Sequence, residues 1–175
     1  QLKDKNTYPA QLVAADALHD FEPGGPTVFL FIAPESRAGR AIARRFLAGA
    51  DLVAVAPEAL GAFCDRIAAM RAAGSRDDEA LIALGRELVA DLAAEVRADI
   101  PDLRVRRMIA WAAEHIDGPV SLADAVAAGG LSAGRLRHLF VAQTGLPFKT
   151  YLLWLRLTRA VERLAAGTSI TEAAH

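Results

Sequence analysis

The side chains best suited to bind another molecule are cations concentrated in the second half of the chain. From Leu131 to Arg163 the sequence contains six Lys and Arg residues, and Glu162 is the only acid. Residues 101–175 carry nine basic against six acidic residues, whereas residues 1–100 carry 11 against 15. The net charge of −1 for the whole chain conceals this asymmetry. Because guanidinium and ammonium groups bind phosphate, the second half is a candidate for contact with nucleic acid.

Residues 121–145 predict two helices joined by a tight turn. A serine followed three residues later by an acid opens the first helix at Ser121, and this helix is expected over 122–128. A Gly-Gly pair ends it, and Ser132 is expected to cap a second helix over 133–143. Helix pairs of this kind place the second helix in the DNA major groove.

The second helix has two faces at helical spacing. Its inward positions are Ala133, Leu136, Leu139 and Phe140, and its outward positions are Gly134, Arg137, His138 and Val141. Arg137 is suited to guanine, and His138 to a base edge or a phosphate. We expect Arg135 and Ser132 to contact phosphate, while Gly134 permits close backbone approach. From spacing alone, a helical hairpin with solvated arginines fits equally well.

A long helix is predicted over 147–166, between Pro147 and Gly167. Lys149, Arg156 and Arg163 are seven residues apart, so they form one stripe along it. Three interpretations of this stripe stay open: contact with DNA phosphate, ion pairing within the domain, and plain solvation.

Several motifs in this region occur in an order that resembles the AraC/XylS family of transcription regulators. They are Ser121-Leu122-Ala123-Asp124, Leu131-Ser132-x-x-Arg135-Leu136-x-x-Leu139-Phe140, Gly145-x-x-Phe148-x-x-Tyr151, Arg156-Leu157-x-x-Ala160, and Gly167-Thr168-Ser169-Ile170-Thr171-Glu172-Ala173-Ala174. The resemblance covers about 55 residues without a gap.

The resemblance implies a DNA-binding domain over 101–175. Its first helix-turn-helix is 121–145, its linker helix is 147–166, and its second unit begins at Ser169 and is cut off. The family's base-contacting positions match Gly134, Arg137 and His138, although relatives often carry a larger side chain where Gly134 stands. The implied protein is a cytoplasmic regulator and not an enzyme. It has no cofactor, binds double-stranded DNA in the major groove, responds to a small-molecule effector, and contacts RNA polymerase if it is an activator.

The first hundred residues predict a small β part followed by helices, so the expected fold class is mainly α. Strands are expected at Gln11–Ala14 and Thr27–Ile32, separated by a Pro-Gly-Gly-Pro turn. This stretch resembles the end of a cupin-type barrel, which implies a partial effector-sensing domain over 1–56 with unknown effector-binding residues. Connecting helices follow over 57–100. Helices are expected at 37–47, 59–73, 79–97 and 102–116.

Two alternatives to a DNA-binding regulator follow from other residues. A cupin-class metal enzyme would use His19 as a ligand, but the sequence offers no second or third ligand near it. An interaction module would form a homodimer through the apolar stripe Leu81, Leu84, Leu88 and Leu92, although such a stripe also packs internally.

Two further sequence features bear on the cellular compartment in which the protein is expected. The lone cysteine, Cys64, excludes an internal disulfide, fits a reducing compartment, and is expected to pack beside Phe63 and Ile67. No apolar run reaches the roughly 20 residues of a membrane span, so no membrane partner is expected.

Overall fold

The chain divides into two compact units, residues 1–99 and residues 100–175. The computed structural model describes residues 10–22, 24–75, 77–94, 101–130 and 132–169. These residues are mainly helical and include one two-stranded antiparallel sheet. The predicted class, mainly α with a small β part, is therefore confirmed.

The sheet of unit 1 pairs two short strands that are distant in sequence. Strand β1 (Gln11–Val13) lies antiparallel to β2 (Leu52–Ala54), with Leu12 opposite Val53. The predicted strand Thr27–Ile32 is wrong, because that segment belongs to no helix or strand, and β2 was not predicted. A strand requires a hydrogen-bonded neighbour, and β-forming residue types do not supply one.

The described residues of unit 1 also form four helices and a π-helical turn. Their bounds are α1 (Arg37–Ile42), the π-turn (Ala43–Leu47), α2 (Pro57–Leu60), α3 (Phe63–Ala72) and α4 (Asp78–Ala93). The single helix predicted over 59–73 is broken, because Gly61 takes a positive φ of 51° after α2. The predicted end of α4 at Arg97 lies outside the described residues.

Helix α4 supplies much of the core of unit 1. Asp77 caps it by accepting a hydrogen bond from the Ala80 N–H at 2.9 Å. Leu84, Leu88 and Leu92 are buried inside the unit, whereas Leu81 stays 41% exposed. Most of the stripe proposed for dimerisation is therefore used for internal packing, because it faces α1 and α2.

Cys64 does not pack into this core as expected. It is exposed on α3, and its neighbours Phe63 and Ile67 are partly buried instead. One residue along a helix is a rotation of about 100°, which carries Cys64 away from the inward face.

The described part of unit 2 forms four helices whose bounds lie within one or two residues of those predicted. They are α5 (Leu103–His115), α6 (Leu122–Gly129), α7 (Ala133–Thr144) and α8 (Phe148–Ala165). Their core is formed by Val105, Met108, Ala112, Ile116, Ala125, Leu136, Phe140, Leu146, Phe148, Tyr151 and Leu152. Ser169, where the resemblance begins a second unit, is followed by residues outside the described part. Across the described ranges, no helix combines the length and apolarity needed to cross a membrane.

The turn between α6 and α7 depends on the backbone of Gly130, which gives a first prediction. Gly130 has φ 68°, and its N–H donates to the Val126 carbonyl. An L residue is strained in this conformation, so Gly130→Ala is expected to lower the free energy of unfolding of unit 2 by about 1–2 kcal/mol. Both tryptophans, Trp111 and Trp154, lie in unit 2, so tryptophan fluorescence during urea titration monitors that unit alone.

Gly134→Ala is the matched control for this experiment. A methyl group at Gly134 has no neighbour within 4 Å, and the residue lies inside α7. We expect this variant to stabilise unit 2 by up to about 1 kcal/mol, because alanine favours helix. Equal urea midpoints for the two variants would contradict the assigned backbone conformations.

Candidate nucleic-acid interface

Two consecutive glycines, Gly129 and Gly130, lie where α6 ends and comes close to α7. Ser121 caps α6: its Oγ accepts from the Asp124 N–H at 3.2 Å and donates to Asp124 Oδ2 at 2.6 Å. At the other end, a Cβ on Gly129 would lie 2.8 Å from a terminal methyl of the fully buried Leu136. A side chain at Gly129 would therefore force Leu136 to shift within the contact between α6 and α7.

Helix α7 buries one face and exposes the other. Leu136, Phe140 and Thr144 are buried, and Leu139 is half-buried. Four exposed residues form what we call the outer face of α7: Gly134, Arg137, His138 and Val141. The predicted inward position of Ala133 is wrong, since this first residue of the helix is exposed.

Aromatic packing fixes α7 against α8. The Phe140 ring meets Phe148 at 5.4 Å and Tyr151 at 5.3 Å between centroids, both edge to face. Between the two helices, Gly145 takes φ 76° and the buried Thr144 hydroxyl donates to the Phe140 carbonyl at 2.9 Å. Edge-to-face pairs are directional, so they restrict the rotation of α7 about its own axis.

A polar contact ties the other end of α7 to α5. The Asp102 N–H donates to Gln143 Oε1 at 2.8 Å, which joins the N-cap of α5 to the last turn of α7. Asp102 Oδ1 also accepts from the Arg104 backbone N–H at 2.8 Å and from Arg104 Nε at 3.0 Å. These contacts lower the pKa of Asp102, the backbone hydrogen bond contributing most.

The N-terminus of α7 differs from the prediction. Ser132 has the extended backbone of an N-cap, but its side chain makes no capping hydrogen bond. Ser132 therefore occupies the predicted N-cap position, but the expected side-chain hydrogen bond is not formed and its hydroxyl is exposed. First-turn N–H groups have no partner within a helix, so this end of α7 can accept an anion.

The predicted cationic residues fall into two groups. Arg135, Arg137 and Lys149 are exposed, and their side chains have no ion pair or hydrogen bond with the described residues. Arg135, Arg137 and Lys149 are therefore cations that are open to an outside ligand. The His138 ring is exposed as well, and it makes no hydrogen bond with the described residues.

The second group contacts the turn between α5 and α6. Arg163 Nη2 lies 2.9 Å from Asp117 Oδ1, and Arg159 Nη2 lies 4.0 Å from Asp117 Oδ2. Arg156 Nη2 donates weakly to the Gly118 carbonyl at 3.4 Å. The stripe of Lys149, Arg156 and Arg163 is therefore split, with its last two members engaged inside unit 2. Sequence spacing missed Asp117, because nothing local links it to residues 46 positions away.

No metal centre is present among the residues described. His19 is exposed, its Nδ1 lies 2.9 Å from the Ala17 carbonyl oxygen, and no group of three or more His, Cys, Asp or Glu side chains converges there or elsewhere in those ranges.

The lowered pKa of Asp102 predicts an acid-dependent loss of stability in unit 2. Because the fold favours the ionised carboxylate, its contribution is complete above the ordinary aspartate pKa and is lost as pH falls through the lowered value. Urea midpoints from tryptophan fluorescence should therefore fall less between pH 5 and pH 2.5 in Asp102→Asn than in the unmodified chain. Glu114→Gln, an exposed neutralisation on the same helix, should keep the original slope. Parallel curves for all three proteins would refute the assignment.

A comparison with protein-family models found no match, and comparisons with curated proteins and with solved structures found none either.

Proposed function

We propose that this chain is a sequence-specific DNA-binding transcription regulator of the AraC/XylS type, with α7 as its recognition helix. One observation carries the proposal: α7 is anchored by the fully buried Leu136 and Phe140 while it exposes Arg137 and His138 without partners among the described residues. A helix that contacts bases needs such a fixed backbone, because bidentate hydrogen bonds to a base edge tolerate little displacement.

The outer face of α7 gives each residue a distinct role in this proposal. The Arg137 guanidinium contacts guanine O6 and N7, and the His138 ring contacts a neighbouring base edge. Gly134 has open space where a Cβ would stand, which lets the backbone approach the floor of the groove. Val141, 37% exposed on the same face, is suited to a thymine methyl group.

Phosphate contacts come from the residues around this face. The Ser132 hydroxyl and the uncapped N–H groups of α7 supply uncharged donors, and Arg135 supplies a charge beside them. Lys149, at the start of α8, adds a second exposed cation. Phosphate contact is also one of the interpretations of Arg156 and Arg163, but Asp117 and the Gly118 carbonyl compete with DNA for them.

The surface of α8 is consistent with a further helical unit after Ser169. Four apolar side chains, Leu153, Leu157, Val161 and Leu164, are 37–57% exposed along one side of this helix. Their spacing of four, four and three residues matches the contact stripe of a packed helix. The resemblance implies a second helix-turn-helix in that place, which would cover this stripe and contact DNA itself.

Regulation by a small molecule is the proposed role of unit 1. A cleft of about 360 Å³ lies between α3 and the first turns of α4. Its lining combines the apolar side chains of Val28, Ile67, Met70 and Leu81 with the charged side chains of Arg71 and Asp78. An apolar lining with a few polar groups is typical of small-molecule sites.

Selection from a random DNA library, followed by anisotropy titration of the enriched site, tests the function. Arg137→Ala should cost about 1–3 kcal/mol for the preferred base at one position and relax the preference there. Arg135→Ala should weaken binding to all sequences alike and reduce the salt dependence by the equivalent of about one phosphate contact. Arg86→Ala, which removes an exposed cation from unit 1 away from the cleft, is the control and should leave affinity unchanged. A library without any enriched sequence would sink the proposal.

The competition for Arg163 gives a separate prediction. Asp117→Asn removes the carboxylate that pairs with Arg163, so this guanidinium becomes available to phosphate, whereas Arg159 keeps its contact with Glu162 at 3.6 Å. DNA binding should become tighter and more steeply dependent on salt, because more counterions are released. Glu114→Gln changes the net charge of the same unit equally but frees no arginine, and it should give a smaller gain. If the two variants bind DNA alike, Arg163 does not reach the phosphates.

A further inference from the structure

The cleft between α3 and α4 is lined by two opposite charges that do not pair with each other. Arg71 lies in the last turn of α3, and Asp78 is the first residue of α4. Both side chains line the cleft of about 360 Å³, and both residues are exposed. Neither side chain is in an ion pair with a described residue. The cleft therefore offers one guanidinium and one carboxylate that are open to a ligand.

The other polar side chains of the lining already have partners within the chain. Asp77 Oδ1 accepts a hydrogen bond from the Ala80 N–H at 2.9 Å, which caps α4. Ser75 Oγ accepts a longer hydrogen bond from the Asp77 N–H at 3.3 Å. Arg71 and Asp78 are thus the charged side chains of the lining that no described residue engages, and their charges are of opposite sign.

Apolar side chains form the rest of the lining. Ile67 and Met70 are half-buried, while Val28 is 49% exposed and Leu81 is 41% exposed. Water in contact with this apolar surface makes its coverage by an apolar group favourable. Methionine adapts to apolar groups of different shapes and makes favourable contacts with aromatic rings. The volume of the cleft lies at the lower end of the range for small-molecule sites, which suits a small occupant.

We infer that this cleft binds a zwitterionic α-amino acid with an apolar side chain. The ligand carboxylate pairs with the Arg71 guanidinium, its ammonium group pairs with the Asp78 carboxylate, and its side chain covers the apolar lining. A carboxylate fits the guanidinium fork, as Asp102 does in unit 2, where it accepts from Arg104 Nε at 3.0 Å and from Nη2 at 3.2 Å. A plain carboxylate or a plain amine would engage only one of the two cleft charges, whereas an amino acid engages both.

This inference names the class of effector for the sensing role proposed for unit 1, and it rests on that role only for its regulatory meaning. Amino-acid binding is measured without DNA, so the two proposals fail separately. If an amino acid binds the cleft and the affinity for DNA does not change, the inference stands and the proposed regulation fails.

Calorimetric titration of the full chain with three matched ligands tests the inference. L-Phenylalanine carries both charged groups, 3-phenylpropanoate lacks the ammonium group, and phenethylamine lacks the carboxylate. We expect phenylalanine to bind about two- to fivefold more tightly than either analogue, because an exposed ion pair contributes only modestly. Glycine has both charges but no apolar side chain, and it should bind about tenfold more weakly than phenylalanine.

Two substitutions then assign each charge to one side chain. Asp78→Asn should abolish the preference for phenylalanine over 3-phenylpropanoate, and Arg71→Gln should abolish the preference over phenethylamine. Each variant should keep the other preference. Arg86→Gln neutralises an exposed arginine of α4 outside the cleft and should keep both preferences. Circular dichroism checks that every variant is folded.

Three results would overturn the inference. The first is a titration with phenylalanine that does not saturate at about 10 mM. The second is equal affinity of the unmodified chain for the three matched ligands. The third is a preference that survives, in a folded variant, the loss of the charge assigned to it.

Discussion

The packing of Phe140 between Phe148 and Tyr151 is the contact on which the arrangement of unit 2 depends. The Phe140 and Tyr151 rings are fully buried, and they belong to helices separated by a single turn. Because side chains leave a helix at fixed angles, orienting Phe140 inward also orients Arg137 and His138 outward. Loss of this aromatic contact would remove one of the contacts that set the rotation of α7, so the direction of Arg137 and His138 depends in part on a buried residue.

Two polar contacts at the edge of unit 2 add to the aromatic packing in holding its helices together. Gln143 holds the end of α7 to the N-cap of α5, while Arg163 and Asp117 join α8 to the turn before α6. The two contacts differ in kind. The first joins an amide oxygen to a backbone N–H and is independent of the ionisation of both partners, whereas the second is a half-exposed ion pair that salt weakens. Binding of a polyanion would therefore leave the first contact intact and compete directly with the second.

The sequence predicted unit 2 more accurately than unit 1 for a physical reason. Helices α5 to α8 begin and end at local signals such as Ser121, Gly130 and Gly145, and their faces follow from periodicity. Whether residues 52–54 or residues 27–32 form a strand depends on a hydrogen-bonded neighbour, and periodicity does not identify that neighbour. The same limit applies within the candidate interface: Arg137 and His138 were found from their helical position, but Gln143 and Asp117 act across more than 40 residues. The missing capping hydrogen bond of Ser132 depends on the rotamer of one side chain, which residue type alone does not determine.

Helix α8 has three sides with different surroundings: one packs in the core of unit 2, one carries arginines, and one is exposed. Phe148, Tyr151 and Leu152 enter the core, and the arginines reach the turn at Asp117. The third side, lined by Leu153 and Leu157, is apolar and open. Exposing leucine side chains to water is unfavourable, and a helix normally carries polar residues on the side that faces solvent. The composition of this side is accounted for if α8 is the shared core of two helical units, because the same helix then buries apolar surface on opposite sides.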